Sequence, residues 1–279
     1  APDPVLNDEQ QAAFEGLDQL CRQEKAAAAL LYGVTGSGKT QVYIRLIQQV
    51  LERGKSALVL VPEIALTPQL LRVFASHFGD HIAVLHSSLR SGERYDEWKR
   101  IRRGDARVVI GTRSAVFAPV QNLGLIVLDE EQETSYKSEN NPRYHAREVA
   151  KFRCVRQNAL LLLGSATPSV ESMYLARSGV YHLYTLSSRY NQKALPQVEV
   201  VDLKEELRRG NGGAISAPLR TALEETLSRG EQAILFLNRR GANRMVSCGE
   251  CGFVPECPRC SVKLTYHLAN HRLMCHHCG

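Results

Sequence analysis

No apolar stretch in this sequence approaches the ~20 consecutive residues that a membrane helix needs. The first residues, Ala1-Pro2-Asp3-Pro4, supply neither a basic segment nor an apolar one, so no secretory signal is visible there. Cysteine is nearly missing ahead of Cys248, where only Cys21 and Cys154 occur. The other six lie between Cys248 and Cys278 as three C-x-x-C pairs. A disulfide framework fits that distribution poorly; clustered pairs without a signal argue for metal in a reducing cytosol. The expectation is a cytoplasmic protein with no membrane association.

The residues that are present bound the rest. A chain of 279 residues suffices for one large domain or two smaller ones, and 44% apolar content can fill a sizeable core. A net charge of +6 favours an anionic partner without specifying nucleic acid.

The organising stretch is Gly33-Val34-Thr35-Gly36-Ser37-Gly38-Lys39-Thr40, which reads G-x-x-x-x-G-K-T. An apolar run, Ala29-Leu30-Leu31-Tyr32, precedes it, and helical spacing at Val42, Leu46, Val50 and Leu51 follows. Strand, glycine loop and helix form the context that distinguishes a P-loop from a chance match. The glycines let backbone N–H groups turn inward toward phosphates, and the helix start adds partial positive charge. Lys39 supplies a point charge for the β- and γ-phosphates, and Thr40 a hydroxyl for Mg²⁺.

Ahead of the loop, Asn7 caps a helix carrying Ala12, Ala13, Phe14, Leu17 and Leu20. Gln10 fits two roles equally well by spacing: the N3 partner of a capping box, or a hydrogen-bonding group for an adenine edge. Further on, Ser56 to Val61, Ile82 to Leu85, Arg107 to Thr112, Gly124 to Leu128 and Leu160 to Leu163 read as buried strands. Pro68 suits the first turn of a helix, Ser91 to Arg103 forms a basic helix, and Pro168-Ser169 starts another. The alternation predicts an open, mostly parallel α/β sheet with function at the carboxyl ends of its strands. One strand runs into Asp129-Glu130-Glu131-Gln132, the form of a Walker B element: Asp129 for the Mg²⁺ shell and Glu130 to polarise the attacking water. Between Glu133 and Arg147 periodicity fails, and Tyr136, Lys137, Arg143 and Tyr144 suit either base stacking or an ordinary surface loop. Gly179 to Val201 is expected to be irregular and to hold a boundary; Ser216 to Arg229 reads as a helix, and Ala233 to Leu237 as the strand opening a second α/β unit.

Taken together the motifs resemble those of superfamily 2 helicases, and more narrowly the primosomal replication-restart DNA helicases. The residues that carry the likeness are the P-loop, Val61-Pro62-Glu63-Ile64 with Leu66-Thr67-Pro68, Ile110-Gly111-Thr112-Arg113-Ser114-Ala115 and Asp129 to Gln132. Arg143-Tyr144-His145-Ala146-Arg147, Gly164-Ser165-Ala166-Thr167-Pro168, Leu235 to Gly241 and the C-x-x-C pairs continue it. The resemblance implies a RecA-like P-loop ATP-binding lobe over residues 1–195, the start of a second lobe over 196–247 and an incomplete zinc-binding region over 248–279. It implies an ATP-driven 3′→5′ helicase that acts on single-stranded and forked DNA and helps reload the replicative helicase, with helicase-loading proteins and single-stranded-DNA-binding protein as partners. It places Gln10 and Gln132 near the nucleotide, Glu63, Thr112 and Arg113 along the DNA path, and Ser165 and Thr167 between hydrolysis and lobe movement. Tyr136, Lys137, Arg143 and Tyr144 become coupling or DNA-contact residues. Gln132 stands where many members have His. The family also has an amino-terminal 3′-end-binding domain and late second-lobe arginines, neither of which is visible here. The expectation is therefore ATP–Mg²⁺ binding with little DNA-stimulated turnover. A non-catalytic nucleotide-binding docking module and a double-stranded-DNA translocase are the alternatives.

Each C-x-x-C pair offers two thiolates, and tetrahedral zinc takes two pairs. Cys257/Cys260 and Cys275/Cys278, separated by residues 261–274, have the spacing of a Cys₄ ribbon. Cys248/Cys251 could instead join Cys275/Cys278. The resemblance suggests a further pair beyond Gly279 for Cys248 and Cys251, with His276 or His277 as substitutes.

Overall fold

The computed structural model describes residues 2–189, 196–213, 215–236, 246, 248, 251, 253–267, 272–275 and 278. The chain divides into two compact units, Ala1–Ala194 and Leu195–Gly279. Among the described residues no helix is long and apolar enough to cross a membrane.

The first unit is built on seven parallel strands. They are β1 (Ala27–Gly33), β2 (Ser56–Leu60), β3 (Ile82–Leu85), β4 (Val108–Gly111), β5 (Leu123–Asp129), β6 (Leu160–Ser165) and β7 (His182–Leu186). Their order across the sheet is β3-β4-β2-β5-β6-β1-β7, and every neighbouring pair is parallel. Central strands are apolar at successive positions because both faces are covered. Alternate side chains feed two cores: Leu31, Ala57 and Val59 meet one set of helices, while Leu30, Leu58 and Leu60 meet the other. On the first face pack α1 (Asp8–Arg22), α2 (Lys39–Glu52) and α3 (Pro68–Phe78); on the second, α4 (Ser91–Arg103), α5 (Ala146–Gln157) and α6 (Val170–Arg177).

Local chemistry starts these helices where the sequence indicates. Asn7 and Gln10 close a capping box on α1, and Thr67 caps α3 with Pro68 in its first turn. Ser169 is the cap of α6 rather than its first residue, so Pro168 lies outside the helix. In α4 Ile101 is the buried residue, which leaves its arginines on a solvated face.

Two expectations are corrected. The segment expected to be irregular after Gly179 contains β7, which closes the sheet beside β1. An edge strand needs no apolar run: in β7 Leu186 is buried while His182, Leu183 and Thr185 are exposed, so pairing with β1 decides its state. In the second unit, α7 (Leu203–Arg208, capped by Asp202) and α8 (Ala217–Ser228) form, but the described residues 233–236 are not a strand. Ile234 is 95% exposed and Phe236 86%. A segment becomes a strand only against a partner ladder, and no described residue pairs with this one. Leu237 and Asn238-Arg239-Arg240-Gly241 lie outside the described residues.

One glycine is required by a close approach. Gly164 in β6 stands beside Asp129 of β5, and a Cβ there would strike the Tyr43 hydroxyl. Gly164→Ala should therefore lower the stability of the first unit by about 2 kcal/mol through overpacking. A urea titration reads this as a reduced midpoint; an unchanged midpoint would show that Tyr43 moves aside at no cost.

Candidate nucleotide site and metal centre

Because the sheet is parallel, the carboxyl ends of β1, β6 and β5 share one edge, with β6 between the other two. At about 4.8 Å per strand, the tips of β1 and β5 stand about 10 Å apart. The P-loop leaves β1 at Gly33 and enters α2 at Lys39, with Gly36 and Gly38 both at φ +80°. That left-handed backbone is open to glycine at little cost. Gly38 precedes α2 with no side-chain cap, so the first N–H groups of the helix remain for an anion. Thr35 and Gly36 are exposed, Thr40 is half-buried, and the Ser37 hydroxyl is buried with no partner. Lys39 Nζ donates to the Gly33 carbonyl at 3.0 Å. Residues 36–41 with Asp129 and Glu130 line a cleft of about 340 Å³. Lys39 and the acidic pair thus face one cavity.

Gln10 makes the capping-box contact weighed for it and adds one onto the P-loop. Its Oε1 accepts from the Asn7 N–H at 2.9 Å, completing the capping box, and its Nε2 donates to the Ser37 carbonyl at 2.8 Å. The side chain is fully buried beneath the P-loop, and a side chain on Gly38 would run into it.

Asp129 is held from α2, whose Tyr43 hydroxyl donates to Asp129 Oδ1 at 2.9 Å. Burial pushes the Asp129 carboxyl above its usual range; the Tyr43 hydrogen bond opposes this, the Glu130 charge adds to it, and Lys39 opposes it. A cation at this carboxylate would favour its charged form by the same logic. Glu130 has φ +47°, a left-handed conformation that costs about 1–3 kcal/mol for a side-chain-bearing residue. Gln132 Nε2 donates to Glu130 Oε2 at 2.9 Å, the Ser165 hydroxyl donates to Gln132 Oε1 at 2.6 Å, and the Thr167 N–H donates to Ser165 Oγ at 2.9 Å. A continuous chain of hydrogen bonds therefore joins the acidic turn to the end of β6.

The loop after the acidic turn is placed differently from a stacking surface at one position. Tyr136 is 1% exposed, and its hydroxyl lies 2.6 Å from the Asp129 carbonyl and 3.0 Å from that of Leu60. A ring so buried cannot stack on a base; as a DNA contact it is corrected, because core packing around β2 and β5 claims it. Lys137 and Arg143 are exposed, and Tyr144 is half-buried, edge-on to Phe117. Arg113 Nη1 donates to the carbonyls of Ser135 and Lys137, at 3.1 and 2.7 Å, on either side of Tyr136. Glu63, Thr112 and Arg113 line a shared recess of about 180 Å³ with Ser87, Ser114 and Tyr136.

Sequence reasoning assigned no role to Tyr43, Glu131 or, individually, Arg147. The Glu131 side chain is completely buried and pairs with Arg147 Nη1 at 3.0 Å. An acid beside other acids carries no mark of burial in sequence; the only available signal was the arginine that closes the Arg-Tyr-His-Ala-Arg segment.

In the second unit the Sγ atoms of Cys257, Cys260, Cys275 and Cys278 lie within 4.8 Å of one another. Cys257 to Cys278 is 3.4 Å and Cys260 to Cys275 is 3.3 Å. Tetrahedral zinc with Zn–S of about 2.3 Å spaces sulfurs at about 3.8 Å, so this donor set fits zinc. A short hairpin of β8 (Thr265–His267) and β9 (Arg272–Met274) connects the two pairs. The N–H of Arg259, followed by the Cys278 thiol, lowers the Cys257 thiol, whereas Cys257 and then Cys275 push Cys278 up to about 12. Four adjacent thiols ionise together only around a cation. Cys248 and Cys251 lie outside this group of four, and His276 and His277 lie outside the described residues.

A parallel sheet with a P-loop and an Asp-Glu pair at strand ends on either side of β6 defines a RecA-like P-loop NTPase lobe. More specifically, the chain belongs to the DEAD/DEAH box helicase family, whose model matches residues 7–175. The PriA DNA helicase Cys-rich region (CRR) domain matches residues 257–279. The replication restart protein PriA of Bacillus subtilis is 52% identical over 98% of this chain and 34% of its own length. That of Haemophilus influenzae is 44% identical over 99% of this chain and 37% of its own. The chain thus spans about a third of the length of these relatives. A structure of RecG bound to a three-way DNA junction is 25% identical, covering 82% of this chain and 32% of that one, with a TM-score of 0.51.

The thiol geometry makes a prediction for metal content. Cys257→Ser should lose one equivalent of bound zinc, measured by atomic emission on purified protein, while Cys248→Ser keeps that equivalent. Unchanged zinc in Cys257→Ser would assign the ion to a different set of ligands.

Proposed function

We propose that this chain is the nucleotide-binding motor lobe, with part of the zinc module, of an ATP-dependent 3′→5′ DNA helicase that serves replication restart. The observation that carries the reading is the single cleft shared by Lys39 and the Asp129-Glu130 pair. The P-loop amides and Lys39 bind the triphosphate, and Gln10 braces the loop from below. Thr40 and Asp129 would hold Mg²⁺, which when bound supplies positive charge to the β- and γ-phosphates. Glu130 accepts the proton of the attacking water. The chain through Gln132 to Ser165 and Thr167 ties that carboxylate to the next strand end, and Arg113 ties the recess of Glu63 and Thr112 to the loop behind Asp129. The partners that fit are single-stranded and forked DNA, with helicase-loading proteins and single-stranded-DNA-binding protein in primosome assembly. The four-thiol site would hold Zn²⁺ as a closed structural centre.

A second reading, a docking module that holds nucleotide without turning it over, is favoured by one feature. No arginine is among the described residues lining the cleft. An arginine at the γ-phosphate is worth about 10³–10⁵ in turnover. The chain by itself should therefore bind ATP–Mg²⁺ and hydrolyse it slowly, with little response to single-stranded DNA. Equilibrium binding of a fluorescent ATP analogue should weaken at least about tenfold in Lys39→Ala, as loss of a charge-assisted phosphate contact requires. Equal binding by Lys39→Ala would overturn the nucleotide site, and binding without any hydrolysis above that variant would select the docking module.

A further inference from the structure

We propose that Glu131 and Arg147 are positioning residues that hold Glu130 in its water-activating geometry; the inference rests on the motor reading given above. Glu130 occupies a left-handed backbone conformation that its own side chain does not favour. Such a conformation persists where its surroundings over-determine it. The next residue provides that restraint. The Glu131 N–H donates to the Gly164 carbonyl at 3.1 Å, pinning the turn to β6. Its carboxylate accepts from the Ser169 N–H at 2.7 Å, the Ser172 hydroxyl at 3.0 Å and Arg147 Nη1 at 3.0 Å. Arg147 reaches the same serine hydroxyls, at 3.4 and 3.2 Å. The peptide after Glu130 is therefore fixed to β6, α6 and α5 at once, while Glu130 itself faces the cleft.

A buried ion pair is a poor source of stability, since apolar replacements of similar volume are often tolerated as well or better. What these two charges provide is direction. A planar guanidinium and a carboxylate with several fixed donors permit one rotation of the turn. A general base must stay within hydrogen-bond reach of the proton it takes, so loss of that rotation affects the chemical step and not nucleotide binding.

The test pairs Glu131→Gln with Arg147→Met, which removes both buried charges and leaves neither unpaired. Against the unmodified chain it should retain its thermal midpoint and bind the fluorescent ATP analogue within about twofold, yet hydrolyse ATP at least about tenfold more slowly in a single-turnover assay. Arg147→Lys, which keeps the charge but not the planar fork, should fall between the two. If the double variant does not fold, Arg147→Lys, which leaves neither charge unpaired, carries the test through the same split between binding and hydrolysis. Hydrolysis at the unmodified rate, or affinity and rate falling in parallel, overturns the positioning role. A chain whose hydrolysis does not exceed that of Lys39→Ala fails at the motor reading instead, and the role falls with it.

Discussion

A 2.9 Å hydrogen bond between Tyr43 and Asp129 joins the helix that begins at the P-loop to the strand that ends in the acidic turn. It crosses above β6, and it can do so only because the residue beneath is Gly164. The P-loop and the acidic pair are consequently fixed relative to each other by this contact, not by their exposed side chains. Gln10 adds the same kind of restraint from α1, its side-chain oxygen accepting from the helix cap and its nitrogen donating to the loop.

This edge of the sheet is polar and partly buried. Ser165 is fully buried, Glu131 nearly so, and each has identified partners. Buried polar groups are costly when unpaired and directional when paired, so such a network specifies a single arrangement of the strand ends. The same directionality extends toward the Glu63–Thr112 recess, where Arg113 grips the carbonyls on both sides of Tyr136. Motion of that loop cannot leave the carbonyl of Asp129 undisturbed while Tyr136 remains seated.

The second unit follows a different rule. Its helix α8 has no buried residue, and among the described residues its two-stranded ladder lies between two thiol pairs. Where apolar burial is small, metal–thiolate bonds can supply the folding energy that a core would otherwise provide. The cysteine spacing and the observed grouping of four thiols are two views of that requirement.

The sequence by itself determined the P-loop, the Asp129-Glu130 strand end, the positions of β1 to β6 and of α1 to α4, and the Cys₄ spacing, but not α5. Each is a local signal: a glycine pattern, an apolar run that ends in a polar tip, a capping residue, a ligand pair. The tertiary structure alone decided that His182–Leu186 is a strand, that residues 233–236 are not, that Tyr136 is core and that Glu131 is buried against Arg147. Those outcomes depend on what lies across a ladder or behind a side chain. An edge strand, an unpaired apolar segment and a buried acid are not settled by local pattern, so partners distant in the chain settle them.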